Sequence, residues 1–188
     1  MVIVGIDEVG RGCWAGPLVA GAVVLGQPIA GLKDSKQLSK RQREKLAADI
    51  NLLAKAVGLG WVDADTIDHI GLSEAVRLAM QRALEQVRVA YDEVIIDGNS
   101  NFLSDNPKAR TLINADATIP AVSAASIVAK VARDQYMSDI ALVYPGYGFE
   151  QHVGYGTALH LEKLKLHGVS LLHRRSFKPV RALLQYPS

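Results

Sequence analysis

Four acids in this chain stand where solubility alone explains them poorly. Asp7 and Glu8 end the apolar run 1–6 in GIDEVGRG, Asp97 closes VIID, and Asp116 stands in INADATIP just ahead of a helical pattern. Acids at the ends of neighbouring strands converge on one edge of a sheet. Converging carboxylates repel one another and are stable together only when cations neutralise them. Carboxylate oxygens select hard divalent ions, Mg²⁺ or Mn²⁺. Two such ions roughly 3.5–4 Å apart clamp a phosphodiester, one lowering the pKa of an attacking water and one stabilising the leaving oxygen. The chemistry these residues fit is therefore phosphodiester hydrolysis. Each acid alone has a plainer reading: a turn former in DGN for Asp97, a helix cap for Asp116, a solvated strand end for Asp7 and Glu8. Four acids at element ends are harder to explain that way than any one of them.

The sequence holds no strong competitor, with no GxxxxGK[ST] loop, GxSxG elbow or HExxH pair. GRGCWAG is GxGxxxG after a strand, one residue away from a dinucleotide fingerprint. That fingerprint has to open a helix that receives a pyrophosphate. Here PLVAGAVVL follows, which reads as strand, and two acids directly before the glycines would repel a pyrophosphate.

The elements that must position these residues are legible in outline. Residues 2–6 and 18–25 read as strands joined by the acidic, glycine-rich segment. In LSKRQREKLAADINLLAK, Ser39 and Gln42 have capping-box spacing, and Leu46, Ile50 and Leu53 share a helical face. AVGLGWV reads as a third strand. From Ser73, the apolar residues Val76, Met80, Ala83, Leu84 and Val87 recur at helical intervals. EVIIDGN is a short buried strand ending in turn residues. In NADATIPAVSAASIVAKVARD, Ala124, Ile127, Val128 and Val131 mark the buried side of a helix, and Ser126, Lys130 and Arg133 share another face. TALHLEKLKLHG is a short helix stopped by Gly168. Strands first, then strand mixed with helix, give an α/β class with a partly antiparallel sheet.

A length of 188 residues suits one domain, and 49% hydrophobic content supplies a core. Net charge is only +2, but residues 150–188 hold six Lys or Arg against two Glu, together with four of the five histidines, leaving the rest at −2. Such an end can face a polyanion or be a solvated helix face. Cys13 is the only cysteine, which excludes internal disulfides and cysteine-rich zinc sites and predicts a reducing, cytoplasmic location. The apolar start has no basic segment before it, unlike a signal peptide. The uncharged stretch 16–32 is short and broken by Pro17 and Pro28, so no membrane span is expected.

Taken in order, GIDEVGRGCWAGPLVAGAVVL, LKDSKQLS, DGN, AVSAASIVAKVARD, HVGYGTALH and HRRSF resemble ribonuclease HII from Gly5 to about Val180. The arginine between the glycines is similar to ribonuclease HII rather than to ribonuclease HIII. The resemblance implies an RNase H-like α/β fold, a central mixed five-stranded sheet flanked by helices. Residues 1–145 would be the catalytic domain and 146–188 a small helical, basic, substrate-binding extension, in one compact unit. It implies metal-dependent endonucleolytic cleavage of RNA in RNA–DNA hybrids, and cleavage 5′ of a single ribonucleotide in duplex DNA, leaving a 3′-hydroxyl and a 5′-phosphate. The nucleic acid is the implied partner, Mg²⁺ or Mn²⁺ the implied cofactor, and a monomer is expected.

Matched motif to motif, Asp7, Glu8, Asp97 and Asp116 would hold the metal ions. Gly10, Arg11 and Gly12 would read the 2′-hydroxyl and adjoining phosphate at the RNA–DNA junction, the group that separates RNA from DNA. The glycines let backbone N–H groups approach the nucleic acid. Tyr155 resembles the family tyrosine that stacks at the junction. Lys33, Ser35 and Lys36 resemble a phosphate-contacting loop, and Ser126 and Lys130 resemble positions beside the site. Asp134 matches a family position read as structural, and His173 reads as a packing histidine. Arg174 and Arg175 fit either a basic track or an anchor for the C-terminal segment. Three departures stand out. Val153 replaces the usual Lys of the tyrosine motif, Asn114 and Ala115 replace the Lys-Gly before Asp116, and the usual proline before HRRSF is missing. The first two remove positive charge and predict weaker substrate binding with chemistry intact. Two other functions remain open at this point, a non-catalytic hybrid-binding module and an RNase H-like nuclease for another structured nucleic acid.

Overall fold

A computed structural model describes residues 1–32 and 37–185. Its frame is a five-stranded sheet in the order β3-β2-β1-β4-β5. Strands β1 (Ile3–Val9), β2 (Leu18–Leu25) and β3 (Ala54–Val62) form an antiparallel meander. On the other side of β1, β4 (Glu93–Asp97) and β5 (Ala109–Leu112) run parallel to it. The mixed α/β sheet expected from the resemblance is the sheet found. Its fifth strand, ARTL, is four residues long with an arginine inside, too short for a periodic signal.

Alternation along the strands feeds two helical layers. Val4, Ile6, Ala20, Ala22, Val94 and Ile96 point to one face and pack on Val76, Ala79 and Met80 of α3 (Leu72–Glu85). The other face takes α5 (Pro120–Ile140), backed by α1 (Lys40–Leu53), with Ile50, Ala124, Ile127 and Val128 buried between them. Contact with α5 is close because the sheet is bare there. A Cβ on Gly5 would lie 2.1 Å from the Ala121 carbonyl carbon, and one on Gly21 would lie 2.4 Å from the Ala125 oxygen. Helix α1 starts at the predicted capping box of Ser39 and Gln42. Leu53, expected on its buried face, is 38% exposed at the helix end.

Five further helices lie among the described residues, four of them being α2 (Ala64–Ile70) before α3, the single turn α4 (Ala115–Thr118) before α5, and, after α5, α6 (Phe149–His152) and α7 (Ala158–His167). A last helix, α8 (Lys178–Gln185), follows the HRRSF segment. Residues 149–174 are fastened to the β1–β2 loop by a bridge between Ala15 and His173 and by the amides of Trp14 and Ala15 on the Gly154 carbonyl. No helix among the described residues is long and apolar enough to cross a membrane.

Candidate active site

The parallel register of β1 and β4 sets Ile6 beside Ile96, so Asp7 and Asp97 follow as neighbours at the same sheet edge. Alternation sends Ile6 and Ile96 into the core under α3 and turns both acids to the face of α5. There the Ser126 hydroxyl donates to Asp7, and the Glu8 amide donates to Asp7 Oδ1 at 2.8 Å. Asp97 Oδ1 accepts from the amides of Ala115 at 2.7 Å and Asp116 at 3.4 Å, so the turn α4 fixes its orientation.

A cleft of about 320 Å³ opens over these strand ends. Three of the four expected acids line it: Asp7, Glu8 and Asp97. So do Gly10, Arg11 and Gly12 from the β1–β2 loop, Ser126 and Lys130 from α5, and Tyr155 from the turn after α6. Arg11 is half exposed, 3.5 Å from Glu8 and 5.6 Å from the centre of the Phe102 ring. Lys130 reaches 5.5 Å from the Tyr155 ring and pairs with Asp134 at 2.8 Å, and the Asp134 charge also acts on the Tyr155 phenol, raising it.

Asp116 is buried on α4, and its amide donates to Asp97 Oδ1 beside the other three acids. Among the described residues, no three His, Cys, Asp or Glu side chains are drawn into one metal-sized group. The acids form an open set, not a closed cage. Mutual repulsion favours that, and Mg²⁺ suits it, since it binds through one or two carboxylates, several waters and substrate phosphate oxygens. Lys33, Ser35 and Lys36 lie outside the described residues.

The electrostatics test the fit to a cation. Burial lifts the Asp7 carboxyl from 3.8 to about 8, and the charges of Glu8 and Asp97 add to the rise against the Ser126 hydrogen bond. Burial also raises Glu8, with Arg11 opposing. Carboxylates crowded this way lack compensating charge, and a hard divalent ion supplies it. The donor set therefore fits Mg²⁺ or Mn²⁺.

Two buried arginines that the sequence left unassigned hold the substrate-facing loops together. Arg133 of α5 donates to the carbonyls of Pro17 at 2.8 Å, Ala15 at 3.1 Å and Val153 at 2.7 Å. Arg174 donates to the Gly16 carbonyl at 2.9 Å and the Arg11 carbonyl at 3.1 Å, so it is the anchor and not a basic track. Arg175 is exposed, its amide on Asp68. His173 is a buried, hydrogen-bonded packing histidine as expected. Phe102 was missed as well, because nothing in NFLSDN marks a phenylalanine that supports Arg11 across the cleft rim. A second cavity, about 390 Å³ and lined by Tyr91 and Phe102, has its Arg77 already paired with Glu74 and holds none of the expected acids.

The family model for ribonuclease HII matches residues 4–180. Ribonuclease HII of Halorhodospira halophila is 50% identical over 97% of this chain and 94% of its own length, and that of a Marinomonas species 45% over 98% and 94%. The chain belongs to the ribonuclease HII family. As a ribonuclease HII it is a ribonuclease H type endonuclease. Its fold matches the ribonuclease H2 of Pyrococcus horikoshii at 28% identity, covering 98% of each chain with a TM-score of 0.83. Bst-RNase HIII in complex with Mn²⁺ shares the fold at 21% identity and a TM-score of 0.76, over 98% of this chain and 70% of that one.

Proposed function

We propose that this ribonuclease HII hydrolyses the RNA strand of RNA–DNA hybrids and cuts on the 5′ side of single ribonucleotides in duplex DNA, using two Mg²⁺ or Mn²⁺ ions. The observation that carries this reading is the one cleft in which three carboxylates, the Gly10–Gly12 loop and Tyr155 face each other. Asp7, Glu8 and Asp97 would hold the ions, with Asp116, adjacent to Asp97 through its amide, as fourth ligand. Ions held there would supply a lowered pKa for an attacking water and positive charge for the leaving 3′-oxygen. That the fold neighbour Bst-RNase HIII is found with Mn²⁺ is in keeping with this choice of ion.

The chain's own residues select the substrate. Gly12 lines the cleft, yet a Cβ built on it meets no protein atom within 4 Å. Packing does not require glycine there; a backbone that must touch a ligand does. Its neighbourhood offers N–H groups to a 2′-hydroxyl, and Arg11 offers a charged fork to the adjoining phosphate. Tyr155 is 38% exposed as a residue, and burial pushes its phenol up to about 12, so it stays neutral and would stack on the sugar at the junction. Lys130 places a cation beside that ring.

The test is a DNA duplex with one ribonucleotide, incubated with Mg²⁺ or Mn²⁺ beside an all-DNA control. The expected product is a single cut 5′ of the ribonucleotide with a 3′-hydroxyl, and an intact control. A cut on the 3′ side, a cyclic phosphate end, or cutting that persists in EDTA would overturn the reading.

A further inference from the structure

Three histidines outside the cleft are buried together where α6, α7 and the HRRSF segment meet: His152 at 6%, His160 at 0% and His173 at 2% exposure. His152 and His160 stack with centroids 4.2 Å apart. The Nε2 atoms of His160 and His173 are 3.1 Å apart. Backbone amides, which can only donate, fix where the protons sit. The Ser170 amide donates to His173 Nδ1 at 3.0 Å, so that nitrogen is bare and the His173 proton is on Nε2. That proton goes to His160 Nε2. The His160 proton is then on Nδ1, and it is donated to the Tyr155 carbonyl at 2.9 Å. By the same logic, the Gly154 amide donates to His152 Nδ1 at 3.2 Å, and His152 Nε2–H donates to the Tyr147 carbonyl at 2.9 Å.

Two stacked imidazoles thus grip the backbone on either side of Tyr155. The turn they hold is one that a chain leaves readily. Val153 has φ 43° and Gly154 φ 88°, and a β-branched residue in the left-handed region persists only where the surroundings over-determine it. Burial holds all three histidines below the ordinary range, His160 near 4 and His173 near 3, so the chain of neutral rings is intact at neutral pH.

We propose that the directed chain from the Ser170 amide through His173 and His160 to the Tyr155 carbonyl is the device that sets the junction-reading tyrosine, with His160 and His173 as positioning residues. This rests on the reading of Tyr155 given above. Mere space-filling would not need a particular tautomer. Here only one of the two proton arrangements gives the Tyr155 carbonyl a second donor beside the Thr157 amide at 2.9 Å; the other turns a lone pair on it.

The experiment compares His160→Asn with His160→Gln. Asn carries its amide N–H near the place of Nδ1–H, whereas Gln carries it near Nε2 and leaves the Tyr155 carbonyl with the Thr157 amide as its remaining donor. Both remove the ring and its stacking, so both lower the melting temperature. The readout is kcat/KM on a duplex with one ribonucleotide relative to a uniform RNA–DNA hybrid, which has no junction. His160→Gln is expected to lower this ratio about threefold to tenfold, the worth of one hydrogen bond, and His160→Asn to keep it within about twofold of wild type. Equal losses on both substrates in both variants would overturn the proposal. Tyr155→Ala is measured alongside. If it leaves the ratio unchanged, the reading of Tyr155 itself fails. If it lowers the ratio and His160→Gln does not, the positioning chain fails. Independently of any variant, ¹⁵N spectra of the imidazoles in the unaltered protein should show His160 protonated on Nδ1 and His173 on Nε2; the reverse tautomers would overturn the assignment.

Discussion

Replacing Asp7 by Asn should stabilise the metal-stripped protein while removing its activity. In the fold, the Asp7 carboxyl is lifted from 3.8 to about 8, by burial first and then by Glu8 and Asp97. At pH 7 the unfolded chain has released this proton and the fold retains it. Each unit of such a gap is about 1.4 kcal/mol, so the penalty has a ceiling of about 4 kcal/mol at pH 7. Relaxation and water entry reduce it, and about 2 kcal/mol is the working figure. Asn keeps the shape and carries no proton to hold. For a chain of 188 residues that gain corresponds to a rise of roughly 4–8 °C in Tm. The sign follows from a raised pKa: the Asp7 contribution to wild-type stability is fullest below about pH 4 and is lost as pH rises toward 8, so the gap between variant and wild type widens over that window. The histidines titrate in both proteins and cancel in the difference. The assay is thermal melting of both proteins in EDTA from pH 4.5 to 8, repeated with Mg²⁺, which should raise the wild type and leave the variant nearly unmoved. A variant that melts below wild type at pH 7, or a gap that does not change with pH, would refute the reasoning.

Three further outcomes follow from other parts of the molecule. Gly12→Ala meets no protein atom within 4 Å and should keep the unfolding free energy within about 0.5 kcal/mol of wild type, while kcat/KM on the single-ribonucleotide duplex falls at least about tenfold; a normal rate would show that nothing approaches Gly12. Val153→Lys removes a β-branched residue from φ 43° and restores a cation, so it should bind hybrid more tightly, with a salt slope steeper by about one phosphate contact, measured by titration at several ionic strengths. Acid should loosen the C-terminal region, because the folded pKa values of His160 and His173 are depressed. Their stabilisation is full above about pH 6.5 and is lost as pH falls toward 4, about 2 kcal/mol each at pH 5. Urea unfolding of Asp7→Asn at pH 7 and pH 5 isolates this loss, and equal stabilities would contradict it.

The acids at the strand ends were legible because apolar runs stop on them, and parity along a strand then decides which face they take. Asp7 and Asp97 needed only that Ile6 and Ile96 be buried. Asp116 was less legible, since its place depends on a single turn whose amides serve Asp97 and on Asn114 in the left-handed region, neither of which has a periodic signal. Elements of one turn or four residues, such as α6 and β5, are set by contacts far away in sequence. The role of Arg133 left no trace, and that of Arg174 stayed one of two readings, because their partners are backbone carbonyls, and acid–base pairing in the sequence does not record those. The basic C-terminal stretch also overstated its surface charge. Arg174 and three of its four histidines are inside, which leaves Lys165, Arg175, Lys178 and Arg181 as its exposed Lys and Arg residues.

The central claim is that one cleft both binds the junction and cuts it through carboxylate-held ions. The most direct measurement takes Asp97→Asn, with substrate affinity and cleavage rate followed on the same single-ribonucleotide duplex in Mg²⁺ and in Mn²⁺. Binding is expected within a few-fold of wild type and the cleavage rate reduced by about 10³-fold or more, as when transition-state stabilisation is lost and substrate binding is not. Cleavage that persists near the wild-type rate would contradict the assignment of Asp97, and binding without cutting by the wild-type protein in either metal would contradict the account as a whole.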